Sequence, residues 1–470
     1  MLDAVLARFV ERCPVAVMAH LALQRAIPAE FVDAVFAAHA GQQYTRELLF
    51  STVVDLMALV AVGLRPSLHA AAREARAAGT LGVSVQALYD KVNRTEPAVL
   101  RALVRDSAAR LAPVAAALRA PGAPAPWLPG YRVRVLDGNH LPATEKRLAP
   151  LRATRGAALP GLALVVYDPE LDLVVDLVAG EDAHAQEPTY VPPLLAAAAP
   201  GELWLGDRNF ATRGVVHALS ARGAALLVRE HATRLRPAPA GERRCVGRGA
   251  SGVVYEQPVA CPPPAAAPGA PALRLRRVEV ELDAPLESGE TVLRLLTTLP
   301  AGDADAVAVA ALYRRRWTVE GLFQRLERVL HGEVHSLGRP RAALLAFSAA
   351  VVAYNALAVV QAAVESRAAA EPVPVSLYQV AHTVREHYRG LVVAVAAGVW
   401  AAYDRQPPAA LAASLRELAA HVRLEAFRKH PRGAGGPRQP KGYVPQAELQ
   451  HVSTARVLAE HKRQRRQQGP

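Results

Sequence analysis

Two aspartates that end apolar runs and one glutamate in a helical run are the residues best placed for chemistry. Asp137 closes YRVRVLDG and Asp207 closes LWLGD. Both runs have the apolar character of buried strands, and a residue closing a strand of an α/β sheet faces the crevice where ligands bind. An aspartate there also caps turns, so neither residue is decisive alone. Glu320 lies in ALYRRRWTVEGLFQRLERVL, with Tyr313 and Arg316 seven and four positions before it. At about 100° per residue Glu320 returns to within about 20° of Tyr313. The spacing predicts one continuous helix with all three side chains on a single face. Leu312, Val319, Leu322, Phe323, Leu326 and Val329 form its opposite stripe. Three carboxylates suit hard cations such as Mg²⁺, which prefer oxygen ligands.

The elements around these residues alternate. Residues 1–120 read as helical, with apolar positions near the 3.6 period and proline or glycine between the runs. Within them GTLGVSVQALYDKVNR (79–94) has the look of a turn and a short helix. Its Gln86, Tyr89, Lys91, Asn93 and Arg94 suit either a DNA groove or an ordinary helical hairpin. The Pro-rich PGAPAPWLP then leads into strand signals (RVRVLDG, LALVVYDPELDLVVDLVAG, LWLGDRNF, ALLVRE) interleaved with the helical GVVHALSARG. Strands alternating with helices give an α/β sheet over residues 130–235. Residues 236–290 break into Pro/Gly clusters and short strand-like runs, read as a β-rich insertion, and TVLRLLTTLP returns the chain to the sheet. Residues 291–367 complete the core with helices, and 368–470 form a helical C-terminal region ending in a basic tail.

LDGNHL, LGDRNF and YRRRWTVEGLFQRLE resemble the three catalytic motifs of DDE transposases from bacterial insertion sequences. The nearest pattern is the insertion-sequence-4 type, whose third motif reads Y-x2-R-x3-E-x6-K. The resemblance spans roughly residues 130–360. It implies a ribonuclease-H-like catalytic core with a β-rich insertion between the second Asp and the Glu. The gaps of 70 residues from Asp137 to Asp207 and 113 from Asp207 to Glu320 leave room for it. It implies Asp137, Asp207 and Glu320 as catalytic, metal-holding residues for Mg²⁺ (or Mn²⁺). Around that trio, Arg316 would neutralise phosphate charge and Tyr313 would hydrogen-bond a phosphate oxygen. Arg208 and Asn209 follow Asp207 directly and would touch the DNA backbone, and Arg328 is a further candidate DNA contact. The substrates would be double-stranded element ends and target DNA, paired by a homodimer. Two ions would stabilise the attacking and leaving oxygens of the displaced phosphodiester.

One position departs from that pattern. Glu327 stands where the family has lysine, and a carboxylate repels a phosphate. Arg325 or Arg328 is near enough to take over the contact. Two other readings therefore stay open: a metal-dependent nuclease without strand transfer, and a catalytically silent DNA-binding derivative. His140 and His184 are left outside the metal set.

Composition bounds the rest. In 470 residues, 51% apolar and 21% charged exclude disorder. Cys13, Cys245 and Cys261 are too scattered for a disulfide framework or a zinc cluster, which fits a cytoplasmic setting. There is no GxGxxG, GxxxxGK[ST] or GxSxG in a fitting context. A net charge of +13 suggests a polyanionic partner, and 421–470 carry eleven Lys/Arg against three Glu. Aromatics at 5% argue against a stacking platform for single strands. The start has no basic n-region before an apolar core. Residues 342–364 are charge-free and long enough to span a bilayer. With no second comparable span and many small alanines, they read as a buried core helix rather than a membrane segment.

Overall fold

Side chains alternate across the central sheet between two apolar clusters, one on each face. Val133, Val135, Ala163, Val165, Leu203, Leu205 and Leu227 join one. Leu136, Leu162, Leu164, Val166, Trp204, Leu226 and Val228 join the other. This period of two is what a pleated strand imposes, and it covers the sheet on both sides. The coordinates are a computed structural model that describes residues 4–41, 43, 47–119, 125–231, 233–286, 289–330, 335–367, 373–429 and 451–467, without the Arg328 side chain.

The strands are β1 (Arg132–His140), β2 (Ala157–Leu159), β3 (Leu162–Asp168), β4 (Leu173–Gly180), β5 (Glu202–Gly206), β6 (Ala225–Arg229), β7 (Ala238–Pro239), β8 (Arg244–Gly249), β9 (Gly252–Cys261), β10 (Leu273–Leu282) and β11 (Val292–Thr297). A tail strand, β12 (His451–Ser453), pairs with β2 in a separate small sheet. The main sheet runs β4-β3-β1-β5-β6-β11-β10-β9-β7, with β8 also on β9. β1 pairs parallel to β5 and β5 parallel to β6, while β1–β3, β3–β4 and β6–β11 are antiparallel. The fold is a mixed α/β one around a mixed sheet.

One expectation changes here. β1 does not close at Asp137; it runs on through Gly138 and Asn139 to His140, held by β3 with Asp137 opposite Val165. The 236–290 stretch is β-rich, carrying β7, β8, β9 and β10. Its strands β9 and β10 extend the main sheet through β11, so the Pro/Gly clusters mark turns between sheet strands.

Helix Pro340–Glu365 is apolar all round, and its apolar window is wholly buried. It packs against helices Pro97–Leu118, Pro14–Ala26 and Phe50–Ala61 and touches β4, which is how an all-apolar helix is enclosed in a large core. Its Asn355 takes the place of a missing strand neighbour at the sheet edge. The Asn355 side chain accepts from Val174 N–H at 2.9 Å and donates to Val174 carbonyl at 2.8 Å, satisfying backbone groups that burial would otherwise strand. The helices before β1 therefore share one apolar core with the sheet.

Candidate active site

Asp137 and Asp207 come together because β1 and β5 are neighbours in register. Leu136 pairs with Gly206, so the residue after each stands beside the other at the same end of parallel strands. Asp137 falls in phase with Val133 and Val135 on the face toward helix Thr318–Arg328. Gly206 ends β5, and Asp207 caps the short 3-10 turn Arg208–Phe210 by accepting from Asn209 N–H at 2.8 Å.

Arg316 stands among these acids. Its Nη1 donates to Asp137 Oδ2 at 3.1 Å, and its Nη2 lies 4.0 Å from Glu320 Oε1. Burial works against the charge on this guanidinium, but Tyr313, Asp137, Asp207 and Glu320 together hold it protonated. Burial pushes Asp137 up to about 6; Arg316 and the Gly138 N–H oppose the rise, and Asp207 and Glu187 add to it. The site thus concentrates negative charge in a partly dry space, the environment that most perturbs a carboxylic acid.

The single-helix expectation for Tyr313, Arg316 and Glu320 does not hold. Helix Ala306–Arg314 ends, the 3-10 turn Arg315–Trp317 follows, and a second helix runs Thr318–Arg328. A 3-10 turn winds faster than an α-helix, so the 20° alignment is not kept. Tyr313 and Arg316 are buried with Leu312 and Val319 rather than opposite them, and Glu320 is half-buried. A cavity of about 650 Å³ beside the acids is lined by Asp207, Arg208, Arg229, Tyr313, Arg316 and Trp317, among others.

Several candidate DNA contacts have partners within the fold. The Asn209 amide donates to Glu187 Oε2 at 3.2 Å, and the Asn209 carbonyl accepts from Arg234 at 2.9 Å. Arg325 is not available to replace the absent lysine. Its Nη2 donates to Asp172 Oδ1 at 3.1 Å and to Tyr354 Oη at 2.7 Å, and Tyr354 donates in turn to Asp172 at 2.5 Å. This network ties the Glu320 helix to the β3–β4 turn and to the core helix. Arg208 is exposed at the cavity, and the Arg328 side chain lies outside the described residues. In the 79–94 unit, Lys91 is buried and donates to Leu48 carbonyl at 2.7 Å, so it cannot enter a groove.

Glu187 is a neighbour that the sequence did not reveal. It lies in a short 3-10 turn, Glu187–Tyr190, and approaches β1 at Gly138, whose missing Cβ leaves room for its carboxylate. Burial raises its pKa, and Asp207 adds to the rise. No periodicity marks it; the single cue was its place in GEDAHAQEPTY, close after β4. His140 donates to Ala183 carbonyl at 3.1 Å and His184 is exposed.

The donor set suits a divalent cation in kind. Hard oxygens gather where burial, Asp207 and Glu187 raise Asp137's cost of ionising, and a cation would relieve that cost. Among the described residues, no three His, Cys, Asp or Glu side chains converge closely enough to hold an ion as they stand. Arg316 supplies the positive charge between Asp137 and Glu320 instead.

No curated protein matches the chain. A solved cryo-EM structure, a piggyBac transposase synaptic complex with hairpin DNA, is similar at 10% identity with a TM-score of 0.40, over 92% of this chain and 92% of its own. Residues 128–356 match the family model described as a transposase DDE domain, and that match supports a DDE transposase.

Proposed function

We propose that the chain is a DNA transposase of the bacterial insertion-sequence type. It would cleave element ends and join the freed 3′-hydroxyl to target DNA. The observation that carries the reading is the side-by-side placement of Asp137 and Asp207, with Arg316 bridging toward Glu320, inside the matched domain. The strand order β4-β3-β1-β5-β6, antiparallel and then parallel, supports a ribonuclease-H-like core.

Asp137, Asp207 and Glu320 would hold Mg²⁺ or Mn²⁺, which when bound lowers the pKa of a water and offsets phosphate charge. Arg316 would present a fork of donors to the phosphate once a cation takes over its acids. Tyr313 holds the wall behind it, and Arg208 faces the backbone from the cavity rim. The parts before residue 120 and after 368 would grip the element ends, and a homodimer would pair them in the cytoplasm.

A catalytically silent DNA-binding derivative is the competing reading. Glu327 at the family's lysine position favours it. Supercoiled plasmid with Mg²⁺ separates the two. Nicking that Asp137→Asn and Asp207→Asn both abolish supports the enzyme, and no nicking supports the silent derivative. Joining of a 3′-hydroxyl oligonucleotide to plasmid then distinguishes a transposase from a plain nuclease.

A further inference from the structure

The C-terminal helix Thr454–Gln467 is polar along its last two turns. Every residue from His461 to Gln467 is exposed. Lys462, Arg463, Arg465 and Arg466 lie there, and only Arg463 has an acidic partner among the described residues, Glu460 at 2.9 Å. Basic residues in a last turn favour the helix dipole, which would explain one or two of them on a loose appendage. This helix is not loose.

Its base is anchored at three points. β12 pairs parallel with β2, through His451↔Ala157 to Ser453↔Leu159. Ser453 donates to Asp182 Oδ1 at 2.7 Å and Arg456 Nε donates to Asp182 Oδ2 at 2.8 Å. The helix also packs on the short helix Ala149–Arg152, beside which Arg152 and Arg155 are exposed. Asp182 begins the segment that leads to Glu187, and the next residue, Ala183, receives the His140 hydrogen bond at the end of β1. The basic helix is therefore fixed to the same loop that flanks Asp137.

We propose that this helix is a docked arm that holds the phosphate backbone of duplex DNA beside the candidate active site. The proposal rests on the DNA-cleaving reading and adds where the duplex lies. Lys462, Arg465 and Arg466 fall within about 100° of one another around the helix. On a helix fixed by backbone pairing they present a ridge rather than a diffuse charge, with Arg463 at its edge beside Glu460. Duplex DNA offers closely spaced phosphates for such a ridge, and each neutralised phosphate releases counterions.

The test uses the full chain and a mixed-sequence duplex of about 30 base pairs, with anisotropy measured across a salt series. Replacing Lys462, Arg463, Arg465 and Arg466 together by Gln should lower the slope of log K against log salt by about 3 to 4, with the melting temperature unchanged. Lys462→Gln and Arg466→Gln, each mild enough to fold, should lower it by about 0.9 each. An unchanged slope in all three variants overturns the arm. So does an unchanged duplex slope accompanied by lost binding to anionic phosphatidylglycerol vesicles, which would assign the helix to a lipid surface. Plasmid nicking separates the two readings. Intact nicking with an unchanged slope defeats the arm alone, and a lowered slope without nicking defeats the cleavage reading alone.

Discussion

The Arg316 guanidinium reaches the Asp137 carboxylate at 3.1 Å across 179 positions of chain. Both are largely buried, at 9% and 17% side-chain exposure. That pairing joins the second half of the matched domain to its first strand. It also places a buried guanidinium between Asp137 and Glu320.

Removing Arg316 should therefore destabilise the fold before it does anything to catalysis. Breaking a buried pair leaves an uncompensated charge and costs about 3–5 kcal/mol. Arg316→Ala should melt well below the parent without divalent ion. If the acids accept Mg²⁺, adding it should raise the variant's melting temperature more than the parent's. Equal shifts in both would mean that the ion does not replace the guanidinium.

The Asp172 network gives a second, independent test. Arg325, Tyr354 and Tyr167 all converge on Asp172, and Asp172 itself sits at φ +54 in the turn between β3 and β4. Asp172→Asn should cost about 2–4 kcal/mol, because it leaves the half-buried Arg325 without a counter-charge and weakens the hydrogen bonds from Tyr167, Arg325 and Tyr354. Tyr354→Phe removes two hydrogen bonds, one accepted from Arg325 and one donated to Asp172, and should cost about 1–3 kcal/mol. Urea unfolding measures both, and a Tyr354→Phe cost equal to that of Asp172→Asn would show that the acid is not the hub.

The strands were legible because their period of two and their apolar content are local properties. The placement of Asp137 beside Asp207 needed only the strand runs and the motif resemblance. What the sequence did not disclose were interactions between distant segments. Arg325 looks like a surface cation on a helix with arginines at 325 and 328, and nothing local shows that Asp172 and Tyr354 will enclose it. The 3-10 turn at Arg315–Trp317 follows no breaker residue, so the 100° wheel carried straight through it. Glu187 is brought to Gly138 by the loop after β4, a path that no periodicity encodes.

Buried His20 predicts an acid-sensitive core. Its Nδ1 lies 3.1 Å from Tyr388 Oη, and its ring lies against Trp400. Burial lowers its pKa to about 4. Between about pH 6.5, the unfolded value, and pH 4 the unfolded chain binds the extra proton, so stability falls as pH falls through that window. The loss is on the order of 3 kcal/mol, by about 1.36 kcal/mol per unit. Urea unfolding at pH 7 and pH 4.5 should show a smaller loss for His20→Gln than for the parent. Equal losses would mean that His20 is already solvated.

Glu327 is exposed on helix Thr318–Arg328, and Arg325 is committed elsewhere. Glu327→Lys should therefore act by its own charge. If this helix end faces the duplex, the variant should gain about one phosphate contact, steepening the salt slope by about 0.9. A salt series on the parent and the variant reads this directly. An unchanged slope would place the end of the helix away from the DNA.

Gly138 and Glu187 are coupled by space. A Cβ at Gly138 would stand 2.2 Å from Glu187 Oε1 and 3.2 Å from Leu164 Cδ2, so alanine there must displace the carboxylate. The displaced Glu187 would lose the Asn209 hydrogen bond and remain close to Asp137 and Asp207. Overpacking of this kind costs about 1–3 kcal/mol. Glu187→Ala removes the obstruction and one negative charge together. The double variant Gly138→Ala/Glu187→Ala should then be more stable than Gly138→Ala alone, with a coupling of about 0.5–3 kcal/mol. Urea unfolding of the parent, both single variants and the double completes the cycle. Additive costs would show that Glu187 does not rest against β1, and the account of how this loop reaches the acids would fail with it.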